Sequence, residues 1–168
     1  MKSLVIYESL WGNTAAVAQA IAEGIGDGTK VGSTGDVTAE DVADADLIVA
    51  GAPVFAFHLS SDRVRDDIAA RPEPGAPPPD LSHPSLRSWL DELPAGTAAC
   101  AAFDTQVRGP FGKGAPTIAK AFTAKGYRLL AKPEGFYVEG KQGPLRRGEV
   151  DRARRWGEEL RRLCGSQR

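Results

Sequence analysis

Ser9, Gly12, Asn13 and Thr14 fall within the six-residue stretch Ser9-Leu10-Trp11-Gly12-Asn13-Thr14 and carry the groups that hold an anion. Hydroxyl and amide side chains donate hydrogen bonds. A glycine at position 12 lets the backbone approach a ligand that a Cβ would keep away. The stretch contains no Lys or Arg, so the charge of a bound anion has to be met by backbone N–H groups and a helix dipole. This is the chemistry of a phosphate cradle. Two later stretches also have a ligand-binding composition. Ala52 to Ser60 is apolar and aromatic, with Pro53, Val54, Phe55, Ala56 and Phe57 suited to holding a flat ring; alternatively, Phe55 and Phe57 plug the core. Phe103 to Gly112 mixes donors, acceptors and glycines, including Asp104, Thr105 and Gly109.

Each stretch follows an element that can position it. Leu4 to Tyr7 has the length and apolar character of a buried strand. Thr14 to Ile25 reads as a helix, with Val17, Ala18, Ile21, Ala22 and Ile25 at spacings of three and four. Lys30 to Ser33 is a weak strand and Asp36 to Asp44 a brief helix. Asp46 to Gly51 is a strong strand, and Pro53 argues against its continuation. Ser61 to Ala70 is helical, capped by Ser61 or Asp62. Residues 71–84 carry six prolines, which exclude regular structure and predict a surface excursion. Ser85 to Leu93 is a short helix whose Trp89 reads as a core residue, a ligand contact being the alternative. Thr97 to Phe103 is a third strong strand. Ala115 to Lys125 is a helix with Pro116 in its first turn and Gly126 as its stop. Tyr127 to Leu130 and Phe136 to Val138 read as one edge strand interrupted at Pro133. Glu149 to Leu163 is the last helix, with Trp156 and Leu160 on its inner face.

Strand and helix alternate about five times, which predicts a three-layer, doubly wound α/β fold with a five-stranded parallel sheet of order 2-1-3-4-5. In that order the carboxyl ends of strands one, three and four are adjacent. The three stretches selected by composition then meet at the switch point, where such sheets bind ligands.

The chain of 168 residues is read as a single domain over 1–168, with 71–84 as its Pro-rich excursion. Net charge is −1, but the first 104 residues hold 6 Lys/Arg against 16 Asp/Glu, and the rest hold 15 against 6. The arginines of the last helix read as a solvated face; nucleic-acid binding is the alternative, but no aromatic stacking platform accompanies them. Cys100 and Cys164 lack a redox or metal spacing, and two histidines are too few for a metal site. No apolar run reaches the roughly eighteen residues that span a bilayer, and no signal peptide is visible. The expectation is a cytoplasmic protein with no membrane or nucleic-acid partner.

The nucleoside-triphosphate pattern G-x-x-x-x-G-K-S/T is absent, as is G-x-G-x-x-G after the first strand. One phosphate and one flat heteroaromatic ring suggest a mononucleotide, and FMN fits best. Here the residues resemble a known family. Ser9 to Thr14 after a Val-Ile-Tyr strand is similar to the flavodoxin phosphate loop, usually Ser/Thr-x-Ser/Thr-Gly-x-Thr. Ala50-Gly51-Ala52-Pro53 followed by aromatics resembles the flavodoxin second loop, and Phe103-Asp104-Thr105 occupies the place of the third. Phe136 to Gly140 before the last helix is similar to short-chain flavodoxins.

The resemblance implies an FMN-binding protein that carries electrons between a reductase and an acceptor protein, with no catalytic residue and no metal. Ser9, Leu10, Trp11, Gly12, Asn13 and Thr14 would enclose the phosphate. Pro53, Val54, Phe55, Ala56 and Phe57 would pack on the ring, while Phe103, Asp104, Thr105 and Gly109 would meet its pyrimidine side and ribityl chain. Asp104 would bond the ribityl hydroxyls or cap its own loop. Trp11 stands where the pattern has a hydroxyl, and the third loop lacks the Tyr that often stacks on the outer ring face. Phe111 or a second-loop aromatic would substitute, or the face is open. Arg108 near the ring would favour the anionic reduced flavin. The alternatives are an FMN-dependent NAD(P)H:quinone reductase, which leaves the flavin face open, and an interaction module that has lost FMN.

Overall fold

The computed structural model describes residues 1–55 and 57–166. In chain order the elements are β1 (Ser3–Tyr7), α1 (Asn13–Ile25), β2 (Thr29–Ser33), α2 (Ala39–Asp44), β3 (Leu47–Phe55), β4 (His58–Leu59), α3 (Asp62–Ala70), α4 (Leu86–Glu92), β5 (Ala99–Val107), α5 (Ala115–Ala124), β6 (Arg128–Leu129), β7 (Glu134–Val138) and α6 (Glu149–Gly165). The sheet runs β2-β1-β3-β5-β6, and β7 also pairs with β5. All of these pairings are parallel. β6 and β7 lie successively along β5, so they are two pieces of one edge position, divided around Pro133. Counted that way, the order is the predicted 2-1-3-4-5.

Side-chain alternation sorts the core into two layers. Val5, Leu47, Val49, Ala101 and Phe103 face α1 and α6. Leu4, Ile6, Ile48, Ala50, Cys100 and Ala102 face α4 and α5, and Trp89 packs against that layer. Cys100 is buried, and burial pushes its thiol up to about 12, which leaves it unreactive. Among the described residues, no helix is long and apolar enough to cross a membrane.

Two strands are longer than the sequence predicts. β3 does not stop at Gly51 but continues through Pro53 to Phe55, and β5 continues past Phe103 to Val107. The extensions pair with each other, Ala52 opposite Asp104 and Pro53 opposite Thr105. Pro53 is tolerated because of its side of the strand. Gly51 O accepts the Glu8 N–H from the β1 side, so the N of Pro53, two residues on, points the same way, to where β1 has ended. The aromatic stretch is therefore a hairpin rather than a loop: β3 turns back as antiparallel β4, Val54 opposite Leu59 and Phe55 opposite His58.

Candidate functional site

The carboxyl ends of β1, β3 and β5 enclose a cleft of about 420 Å³. The first loop supplies Ser9, Leu10, Trp11, Asn13 and Thr14, the hairpin supplies Pro53, Val54, Phe55 and Phe57, and β5 supplies Thr105. Gly12 sits beneath this wall as the residue before α1, with φ 91 and open space where a Cβ would lie. Ala56 lies outside the described residues.

α1 begins without a side-chain cap and without an acidic residue in its first turn. The contrast with other helices is local and chemical. Thr38 caps α2 and Ser61 caps α3, and the first turns of α2, α3 and α6 carry Asp or Glu. The positive end of α1 is thus the one left uncompensated beside the cleft. Within the loop, Ser9 Oγ accepts the Gly12 N–H at 3.1 Å, which leaves the Ser9 hydroxyl hydrogen free to donate. Thr14 and Thr105 share a buried hydroxyl–hydroxyl bond of 2.8 Å that ties the loop to β5.

Besides Gly12, three of the described predicted site residues do not line the cleft. Phe103 is fully buried, packs edge-on against Phe136 at 6.2 Å, and lies where a Gly51 Cβ would be. Its odd position on β5 turns it into the α1–α6 layer. Asp104 is also fully buried, and one of its oxygens accepts the N–H groups of Gly114 and Ala115 at 2.8 Å. It caps the start of α5 from the neighbouring strand. Burial raises the Asp104 carboxyl above its ordinary range, against the pull of those donors and of Gln106. Gly109, with φ 135, abuts Phe111 instead. Arg108 is exposed and is not part of the cleft wall.

Four residues that the sequence reading missed shape the site. Glu8 is fully buried and pairs with Arg65 at 2.7 Å; its carboxylate also accepts from the Ser60 hydroxyl and the Leu86 N–H. Arg65 in turn donates to the carbonyls of Leu81 and His83. Extending the strand's alternation from Leu4 and Ile6 to Glu8 would have marked that carboxylate as inward-facing. His83 Nε2 accepts the Ser9 N–H at 3.2 Å. Burial lowers the His83 imidazole pKa, opposed by Asp80, and the accepting nitrogen belongs to the neutral form. Lys141, on the loop after β7, reaches the cleft and stands 5.7 Å from the centre of the Trp11 ring. Local sequence carries no signal for Arg65, His83 or Lys141.

The Pro-rich excursion packs over the first loop. Trp11 Nε1–H donates to Pro77 O at 3.0 Å, and Asp80 N–H donates to Leu10 O at 2.8 Å. Trp11 also meets Phe55 edge-on at 6.2 Å. The residue that replaces a hydroxyl in the loop is therefore a joint between the loop, the hairpin and the excursion. Phe57 has a φ of 75 and bridges Gly112; Phe57 and Phe111, both lining the cleft, are 56% and 52% exposed. Among the described residues, no group of His, Cys, Asp and Glu is arranged to hold a metal ion.

No protein-family model and no curated protein sequence matches the chain. Solved structures do. A flavodoxin from the domain Archaea is 20% identical with a TM-score of 0.70, over 98% of this chain and 99% of that one. A WrbA-like flavodoxin from Agrobacterium tumefaciens is 15% identical with a TM-score of 0.66, over 99% of each chain. Oxidised flavodoxin 2 from Bacillus cereus is 14% identical with a TM-score of 0.65, over the whole of both. At these identities the likeness speaks for architecture, and it agrees with the strand order: the chain has the flavodoxin-like fold.

Proposed function

We propose that the chain binds FMN in this cleft and carries electrons between redox partner proteins. The observation that carries the reading is the uncapped, acid-free start of α1 beside an aromatic-walled cleft of about 420 Å³. That volume lies within the range of roughly 300–1,000 Å³ typical of small-molecule sites. N–H groups of the first loop and α1, with the side chains of Ser9, Asn13 and Thr14, would hold the phosphate. Pro53, Val54, Phe55 and Phe57 would flank the ring, and Thr105 with Gln106 would offer polar groups along its edge. FMN, when bound, supplies one- or two-electron exchange, while the protein holds, orients and desolvates it. The likeness to flavodoxins supports the same reading by analogy of fold.

The test is the visible absorption spectrum of the purified protein and of the small molecule it releases on denaturation. A flavin spectrum and released FMN are expected; a colourless protein that ignores added FMN would sink the reading. Gly12→Val forces a β-branched side chain into a positive φ, and FMN affinity is expected to fall at least about tenfold.

The exposed rings of Phe57 and Phe111 favour a second reading, an FMN-dependent NAD(P)H:quinone reductase, because an aromatic rim at an open mouth can seat a second flat substrate. Mixing FMN-loaded protein with NADPH and a quinone separates the two: turnover marks the enzyme, and dependence on a separate reductase marks the carrier.

A further inference from the structure

We infer that Lys141 makes this site select a phosphorylated flavin over an unphosphorylated one, and that Glu73 on the Pro-rich excursion competes for the same ammonium group. The inference rests on the FMN reading and deepens it.

Lys141 is the only charged side chain among the described residues that line the cleft. The phosphate loop itself has no cation. The fold brings this one from a distant segment and fixes its backbone beside the loop. Val138 and Leu145 form an antiparallel bridge, Glu139 N–H donates to Pro144 O, and Gly143 N–H donates to Gly140 O. The segment presses on the loop so closely that a Cβ at Gly143 would fall 2.5 Å from Asn13 Oδ1. The Lys141 ammonium therefore stands over Trp11, the third residue of the loop.

Lys141 Nζ donates to Glu73 Oε1 at 2.9 Å, and Gln142 Nε2 donates to the other oxygen of Glu73 at 2.7 Å. Both members of the ion pair are about half exposed. An exposed pair contributes little to stability, so exchanging it is inexpensive. A phosphate dianion is the stronger partner for an ammonium group. An unphosphorylated flavin offers Lys141 nothing and leaves it with Glu73. Lys141 thus discriminates by charge, while Glu73 lowers the affinity for phosphate by competing for the cation and by adding a negative charge near the site.

The experiment compares dissociation constants for FMN and riboflavin, read by flavin fluorescence quenching on apoprotein, for wild type, Lys141→Met, Lys141→Arg and Glu73→Gln. In Lys141→Met, FMN binding is expected to weaken roughly tenfold. Riboflavin binding is expected to stay within about twofold. Lys141→Arg keeps the charge and should keep the preference for FMN. Glu73→Gln should tighten FMN binding a few-fold without helping riboflavin, about as much as removing one like charge at a screened site allows. Added salt should weaken FMN binding more steeply in wild type than in Lys141→Met. If Lys141→Met weakens both flavins equally, or neither, the role of Lys141 is overturned while FMN binding stands. If wild-type protein binds neither flavin, the FMN reading itself fails and this inference falls with it.

Discussion

Gly24 and Gly157 meet backbone to backbone where α1 crosses α6. A Cβ on Gly24 would lie 2.0 Å from Arg154 O, and one on Gly157 would lie 2.1 Å from Ile21 O and 3.1 Å from Gly24 Cα. Gly24 lies in the last turn of α1, so this crossing fixes the helix against α6 at the end opposite the candidate anion cradle. A methyl group at either position must push the helices apart. Gly24→Ala and Gly157→Ala are each expected to destabilise by about 3 kcal/mol in urea unfolding. The double variant should cost less than the sum, because one separation serves both. Gly165→Ala, with open space at its Cβ, should stay within about 0.5 kcal/mol of wild type.

Trp11 holds the excursion by one hydrogen bond and the hairpin by ring contact. Trp11→Phe removes the donor and keeps an aromatic ring. The expected loss is about 1 kcal/mol of global stability, with earlier protease cleavage within 71–84. Cleavage timed as in wild type would mean that the Trp11–Pro77 bond does not hold the segment.

Glu8 and Arg65 form a buried pair in which each also satisfies backbone or hydroxyl groups. Glu8→Ala strands the guanidinium and is expected to cost about 3–5 kcal/mol. Adding Arg65→Leu should recover part of that loss, since the charge left without its partner is then gone. The comparison is made by chemical denaturation at neutral pH. A double variant as unstable as the two single losses combined would argue against the pair as the source.

His83 gives stability a pH dependence of fixed sign. Its folded pKa is lowered, chiefly by burial, and its neutral Nε2 accepts the Ser9 N–H. The unfolded chain therefore takes up a proton before the folded one does. The contribution is fully present above the ordinary histidine value of about 6.5 and is lost as pH falls from there through the depressed folded value. Thermal melts across mildly acidic pH should show this slope, and His83→Asn should flatten it.

What the sequence made legible was local. The phosphate-type loop was readable because β1, the loop and α1 are contiguous, and Gly12 punctuates them. The core faces of α1 and α6 were readable from periodicity, and the broken edge strand from Pro133. Strand ends were less readable, because β3 and β5 extend only by pairing with each other, Pro53 opposite Thr105. The resemblance implied ligand contacts at Phe103 and Asp104, yet alternation along the extended β5 turns Phe103 into the α1–α6 layer and Asp104 to the opposite face, where it meets the start of α5. The partners of Glu8, Trp11, Ser9 and Glu73 lie 57, 66, 74 and 68 residues away in the chain, at Arg65, Pro77, His83 and Lys141. No local pattern encodes such pairings, since they exist only after the chain has folded around the sheet.

The division of the last edge strand has a consequence for how copies of this protein meet. An unbroken outer strand would present a ladder of open N–H and C=O groups to any passing strand. Here that border is two short pieces, Arg128–Leu129 and Glu134–Val138, with Lys132 and Pro133 between them. The opposite border, β2, carries exposed Lys30, whose ammonium is anchored to Asp41 at 2.6 Å. A cation and an imino acid on one side, where residues 144–146 also pair along β7, and an anchored cation on the other interrupt the template on which aggregates grow.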